Sequence, residues 1–200
     1  MAELADAQDL GSCAERRGGS SPLTRTMPNS HEGLESSLWL FCFVVKCLLY
    51  IGGLAMIFRE AEKSDLNDLL MLYTQLHDNS MPTIDNSLEK LWLDIIGNKN
   101  HRIIVGITDE KLISSCVINI IDNLTHNQQP YALVENVITH EAYRNKGYAT
   151  AILDFAKEIA KKENCYKIML LTGSKEPSVL NFYEKAGYNR KDKTAFIQWL

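Results

Sequence analysis

The chain has 200 residues, 46% of them hydrophobic and 23% charged, with a net charge of −4. That balance is ordinary for a globular domain plus an extension, and the small acidic excess gives no general pull toward nucleic acid or an anionic membrane. The five cysteines, Cys13, Cys42, Cys47, Cys116 and Cys165, form no CxxC pair and no Cys/His cluster with zinc spacing, which argues against a disulfide framework or metal centre and for a reduced, cytoplasmic setting.

Residues 1–37 are rich in Gly, Ser, Ala, Arg and Glu and show no apolar period, so they are expected to be disordered. Residues 38–55 are almost wholly apolar. Their length approaches the roughly 20 residues of a membrane span. Lys46 in the middle opposes insertion by about 2.5–3.5 kcal/mol, and Gly52-Gly53 loosens a helix. No basic region directly precedes the run, so a signal peptide is disfavoured. The stretch around Gly19-Ser20-Ser21-Pro22 also back-translates as GGTTCGAGTCCC, typical of a transfer-RNA gene. The expectation is therefore an extension over 1–55, disordered or foreign to the natural protein, and a folded domain over 56–200.

From Met56 onward, strand-like and helix-like segments alternate. A short strand is predicted over 56–59. Ser64 then caps a helix whose Leu66, Leu69, Leu70, Leu72, Tyr73 and Leu76 recur at helical spacing. A second amphipathic helix covers 87–96 through Leu88, Leu91, Trp92 and Ile95. Strands are predicted over 101–107 and 111–121, joined by a turn at 108–110. A polar loop over 122–130 leads to a strand over 131–139. The clearest helix runs over 147–162, with Ala151, Ile152, Phe155, Ala156, Ile159 and Ala160 on one face. A buried strand over 166–171 follows. A short helix over 178–185 has Pro177 near its first turn and Gly187 past its end. A last strand is predicted over 194–200. The order β-α-α-β-β-β-α-β-α-β implies an α/β (α+β) fold, a mixed sheet with helices on both faces.

The segment from Val137 to Ala149 carries the chemistry. A strand ends, a polar loop follows, and a helix opens at Gly147. Backbone N–H groups at such a helix start converge on one spot, and the helix dipole favours negative charge there. Gly147 allows a phosphate to approach the backbone closely, with Arg144 and Lys146 beside it. A solvated turn with a helix cap has the same pattern.

Arg144-Asn145-Lys146-Gly147-Tyr148-Ala149 resembles the Arg/Gln-x-x-Gly-x-Gly/Ala signature of the GNAT acetyltransferase superfamily, with Ala149 where Gly is frequent. Asn181-Phe182-Tyr183-Glu184-Lys185-Ala186-Gly187-Tyr188 resembles its second signature. The likeness extends over 56–200 and agrees in element order. It implies a mostly antiparallel sheet, and acetyl-CoA as donor with no metal. The diphosphate would sit on the N–H groups from Arg144 to Ala149. The pantetheine arm would lie along Val137 and Thr139, between that strand and 166–171, and Asn181 would hold the cofactor from the last helix. A backbone N–H near Val137 would stabilise the oxyanion. Tyr183 would hydrogen-bond the departing thiolate, since a phenol with a pKa of about 10 cannot fully protonate a thiol of about 8.5 without a small uphill step.

An alkylammonium must lose a proton before it attacks a thioester. Glu135 is the best-placed carboxylate for that work or for orienting substrate, with His140 as the alternative. The resemblance thus implies an N-acetyltransferase acting on a primary amine of a small molecule. A protein or peptide N-acetyltransferase and a non-catalytic acyl-CoA sensor are the competing readings. Asp78, Asp85, Glu89 and Asp94 read either as an acidic entrance for a cationic amine or as solvated helix faces. No nucleic-acid partner is expected, membrane attachment is disfavoured, and the state is monomer or homodimer.

Overall fold

The structure, a computed structural model, describes residues 46–51, 54–76 and 80–200. The expectations for residues 1–45, for Gly52-Gly53 and for Asp78 fall outside these. One six-stranded sheet organises the domain in the order β1-β2-β3-β4-β5-β6. Its strands are β1 (Lys46–Ile51), β2 (Leu54–Glu60), β3 (His101–Thr108), β4 (Lys111–Ile121), β5 (Tyr131–Thr139) and β6 (Ile168–Leu170). All neighbours are antiparallel except β5 and β6, which are parallel. The mixed, mostly antiparallel sheet expected from the sequence is the observed one.

Helices cover both faces. On one side α3 (Tyr148–Lys162) lays Tyr148, Ile152, Ala156 and Ile159 against Met56, Phe58, Ile104 and Ile118 of the sheet. Phe182, Tyr183 and Ala186 of α4 (Pro177–Lys185) pack against the same cluster. On the other side Leu69 of α1 (Leu66–Tyr73) and Trp92 of α2 (Asn86–Ile96) meet Ile103, Val105 and Val117. With both faces covered, β3 and β4 carry continuous buried runs instead of an alternation. Each of these large aliphatic side chains contributes roughly 1.5–3 kcal/mol on burial. The β3–β4 turn places Asp109 and Glu110 both at positive φ, 47° and 61°, the hand that matches the twist of an antiparallel pair.

A bidentate ion pair fixes the entry into α1. Arg59 donates to both carboxylate oxygens of Asp65, at 2.5 and 2.9 Å, and the Glu62 N–H donates to the same carboxylate at 2.7 Å. Burial works against the charge on Asp65, but the Arg59 and Glu62 hydrogen bonds outweigh it and hold the carboxyl below the usual range. Ser64 therefore does not cap α1; it lies inside the 3-10 turn Lys63–Asp65.

Three more expectations are corrected. The sequence reading began the first strand at Met56, whereas β2 starts at Leu54 and a preceding strand, β1, pairs with it from Lys46↔Arg59 to Ile51↔Leu54. Cys47, Leu49 and Ile51 pack against the α3 core, so this part of the apolar stretch 38–55 has a place in the sheet. The strand predicted over 194–200 is absent: the segment is irregular and exposed. Its apolar alternation suits a strand, but a strand also needs a paired neighbour, and among the described residues the sheet ends at β6. The predicted strand over 166–171 contracts to Ile168–Leu170.

Candidate active site

The sheet opens where β5 and β6 part. Their parallel pairing runs through Ala132↔Ile168 and Leu133↔Met169 and ends at Val134↔Leu170, while β5 continues to Thr139. A cleft of about 650 Å³ lies in this region, lined by Val137, Ile138 and Thr139 of β5, the loop and first turn from Tyr143 to Thr150, and Ser178, Val179, Phe182 and Tyr183 of α4.

A bulge in β5 sorts the side chains around it. The β4–β5 register jumps from Val117↔Glu135 to Ser115↔Ile138, so Cys116 faces two residues, Asn136 and Val137. Asn136 takes up the extra residue at φ 50°. A regular strand would put Glu135, Val137 and Thr139 on one face. Here Glu135 shares the α1/α2 face with its partner Val117 and is exposed, whereas Val137 packs on the α3 side. Thr139 also lies on the α3 side, paired with Ser114, whose hydroxyl lies beside Gly106 in the α3 core. Glu135 does not line the cleft; Val137 and Thr139 do.

The loop that follows is a cradle of backbone donors. His140 opens a 3-10 turn, Glu141–Tyr143, and its Nδ1 accepts from the Ala142 N–H at 3.2 Å. Asn145 and Gly147 sit at φ 62° and 88°, with Lys146 between them outside the left-handed region. This alternation of hand points successive N–H groups inward, the geometry of an anion-binding nest. No side chain caps the start of α3, so its first N–H groups face the cleft with the positive end of the helix dipole. Two cations are anchored at the rim. Arg144 donates from Nε to the Thr139 carbonyl at 3.1 Å, and Lys146 donates from Nζ to the Ala142 carbonyl at 3.2 Å. Tyr148 contributes only backbone, because its side chain is buried in the α3 core. Ala149 lines the cleft one residue on.

Two features mark the cleft as built for a polar ligand. The Thr139 hydroxyl in its wall is buried without a hydrogen-bond partner, as is that of Ser114 beside it. A buried unpaired hydroxyl opposes folding by about 1–3 kcal/mol, a penalty that a ligand hydrogen bond relieves. Tyr183 lines the opposite wall, its ring centroid 4.9 Å from that of Phe182 and 6.3 Å from that of Tyr188. Burial pushes the Tyr183 phenol above its ordinary pKa, so it stays a proton donor through neutral pH. Asn181 is exposed on α4 and does not line the cleft.

Sequence reasoning missed Gln75, Leu76, Ile138, Tyr143, Thr150, Ser178, Val179 and Phe182 among the lining residues. Tyr143 and Phe182 stand inside the two segments singled out in the sequence, and Gln75 left a signal as a polar residue at the end of an apolar helix. Its Oε1 accepts from the Glu141 N–H at 3.0 Å and ties the end of α1 to the cradle loop. Of the acidic residues considered for an entrance, Asp85 caps α2 by accepting from the Leu88 N–H at 2.9 Å, and Asp94 pairs with Lys90 at 3.6 Å. Among the described residues, no group of His, Cys, Asp and Glu is arranged to hold a metal ion, and no helix is long and apolar enough to cross a membrane.

A nest at a helix start and a tyrosine thus line one cleft, at the foot of which the strand β5 carries a bulge. The chain belongs to the GNAT acetyltransferase family, whose sequence model matches residues 65–188. It is similar to a putative acetyltransferase from Agrobacterium tumefaciens, 33% identical, with a TM-score of 0.67 over 71% of this chain and 99% of that one. It is 26% identical over 83 residues to the glucosamine 6-phosphate N-acetyltransferase of Trypanosoma brucei brucei, a match spanning 42% of this chain and 54% of that protein's length. The structure of AAC(6')-Iy in complex with a bisubstrate analog built on CoA shares the fold alone, at 14% identity and a TM-score of 0.59 over 72% of this chain and 98% of that one.

Proposed function

We propose that this chain transfers an acetyl group from acetyl-CoA to a primary amine of a small molecule. The observation that carries the reading is the single cleft uniting the nest at Asn145–Gly147 with Tyr183. Acetyl-CoA supplies a thioester, whose carbonyl carbon accepts the amine lone pair while the carbon–sulfur bond breaks. The N–H groups from Arg144 to Ala149, with the flanking Arg144 and Lys146, offset the charge of the diphosphate. The unpaired Thr139 hydroxyl and the backbone at Val137 offer hydrogen bonds to the pantetheine arm. The bulge at Asn136 frees backbone donors from the ladder at the point where charge grows on the carbonyl oxygen.

Tyr183 meets the departing thiolate with its hydroxyl, and its raised pKa keeps the phenol protonated while it donates that hydrogen bond. Glu135, on the opposite face of the sheet and open to solvent, receives the ammonium proton directly or through water. Donor and acceptor thereby approach the gap between β5 and β6 from different sides. The partial match to an amino-sugar phosphate acetyltransferase makes glucosamine 6-phosphate the first amine to test. An amine panel assayed with acetyl-CoA by free-thiol release tests the proposal, with Tyr183→Phe as control. Thiol release that no amine stimulates, in a protein that still binds acetyl-CoA, would replace the enzyme with an acyl-CoA-binding sensor.

A further inference from the structure

The amides of the cradle loop divide into two groups. From His140 to Arg144 every N–H has an acceptor within the protein. His140 donates to the Ile113 carbonyl at 2.8 Å, Tyr143 to the His140 carbonyl at 2.9 Å and Arg144 to the Glu141 carbonyl at 3.3 Å. Ala142 donates to His140 Nδ1 at 3.2 Å, and Glu141 to Gln75 Oε1 at 3.0 Å. From Asn145 to Thr150 no N–H has an acceptor among the described residues. Backbone amides in a folded chain are paired as a rule, so the first group is a frame and the second is what the frame presents.

Four of the five acceptors in the frame belong to β4 or to the loop itself. The fifth does not. Gln75 lies in the turn that ends α1, 66 residues from Glu141 in the chain. That helix is itself fixed, with Leu69 and Leu72 buried and Leu69 packed among Ile103, Val105 and Val117. Gln75 lines the cleft on one side, and on the other a second cavity of about 480 Å³ between Asp68, Leu112 and His140. With cavities on both sides, packing does not fix the Gln75 side chain; the bond to Glu141 does. An N–H is met only by an acceptor, so the amide oxygen has to face it.

We infer that Gln75 is a positioning residue for the diphosphate cradle, bracing the loop from α1 so that the free amides from Asn145 to Thr150 are in place before the ligand arrives. The inference rests on the acetyltransferase reading for the identity of that ligand. Gln75 acts through Glu141 and need not touch a phosphate. The Glu141 N–H opens the 3-10 turn whose Ala142 carbonyl anchors Lys146 Nζ at 3.2 Å, so losing the brace loosens a rim cation together with the amides. Binding to a loop already held avoids the loss of chain freedom that ordering a loose one entails.

Calorimetric titration of the full chain with acetyl-CoA tests this. Gln75→Met keeps the length of the side chain, removes the acceptor and should weaken binding about fivefold, the scale of one neutral hydrogen bond. Acetyl-pantetheine, a thioester without the diphosphate, should lose less than about twofold, because it does not use the cradle. Glu141→Pro removes the N–H at the first position of the turn, where proline fits, and His140 before it, at ψ 135°, already has the extended backbone that a following proline requires. In that background Gln75→Met should change acetyl-CoA affinity by less than about twofold, since the bond is already gone. Equal losses for the two thioesters, the same loss in both backgrounds, or no loss at all would each overturn the role of Gln75. Gln75→Ala, read the same way, serves if Gln75→Met does not fold. Gly147→Val distinguishes the two readings: weaker binding there without a loss at Gln75 refutes the brace alone, and no loss at either position refutes the cradle on which it rests.

Discussion

Replacing Gly147 by alanine asks how the cradle works. Gly147 is at φ 88°, and a Cβ built there has Ile51 Cγ2, 3.8 Å away, as its nearest protein atom. The protein therefore has room for the methyl, and crowding within the fold adds nothing. The strain comes from the backbone, because a left-handed φ raises the energy of an L-residue by about 1–2 kcal/mol. That energy can be expressed in two ways. If the loop keeps its shape, the variant loses this stability, a fall in Tm of about 2–8 °C for a domain of this size, and the methyl stands where a phosphate would approach. If the loop relaxes to negative φ, stability is retained and the nest loses an inward N–H. In both cases the affinity for acetyl-CoA should fall at least about tenfold, or 1.4 kcal/mol, and Gly147→Val should do at least as much. Gly147→Asn separates the contributions, since Asn tolerates this φ, as Asn145 does at 62°. It should recover most of the Tm and little of the affinity. Calorimetric titration with acetyl-CoA beside thermal unfolding measures both. Unchanged affinity in a folded Gly147→Val protein would refute the phosphate cradle.

Tyr183→Phe keeps the ring packing and removes the hydroxyl, so kcat should fall roughly 10²–10⁴-fold with little change in acetyl-CoA affinity; wild-type turnover would assign the proton elsewhere. Because burial raises the Tyr183 pKa, the kcat–pH profile of the wild type should show no basic limb from this group below about pH 10. Asp65→Asn removes the carboxylate that the largely buried Arg59 grips with two nitrogens, leaving it the weaker Glu62 pair, and should destabilise by about 3 kcal/mol at pH 7. The folded pKa of Asp65 is depressed, so its contribution is full above the unfolded value of about 3.9 and is lost as pH falls through the folded one; denaturant midpoints should converge at acid pH. A chain begun at Met56 lacks β1 and uncovers the core beside Cys47, Leu49 and Ile51, so it should unfold at a lower temperature than one begun at Lys46. Equal stability of the two would place β1 outside the domain. Ile152→Ala at the centre of α3 should destabilise by about 2–5 kcal/mol, read from chemical denaturation.

Much of this protein is legible from local pattern. The faces of α1, α2 and α3 follow from apolar spacing, and the limits of β4 and β5, Lys111–Ile121 and Tyr131–Thr139, match the sequence reading. The cradle was legible too, because a nest and a helix start are built from consecutive residues, and Gly147 between a basic loop and an apolar helix announces them. What local pattern cannot carry is anything that depends on a neighbour distant in the chain. The β5 bulge, set by pairing with β4, moved Glu135 to the face opposite Val137 and Thr139 although strand alternation groups the three. Gln75 entered the site because α1 ends against the loop at Glu141. The apolar run before Met56 resembled a membrane span or a foreign leader until β2 offered part of it an edge to pair with, and 194–200, as strand-like as any segment in the sequence, is irregular because β6 ends the sheet among the described residues. Helices satisfy their own backbone within one segment and so declare themselves in sequence, whereas a strand exists only when another strand supplies its hydrogen bonds, and only the tertiary structure decides where that partner is.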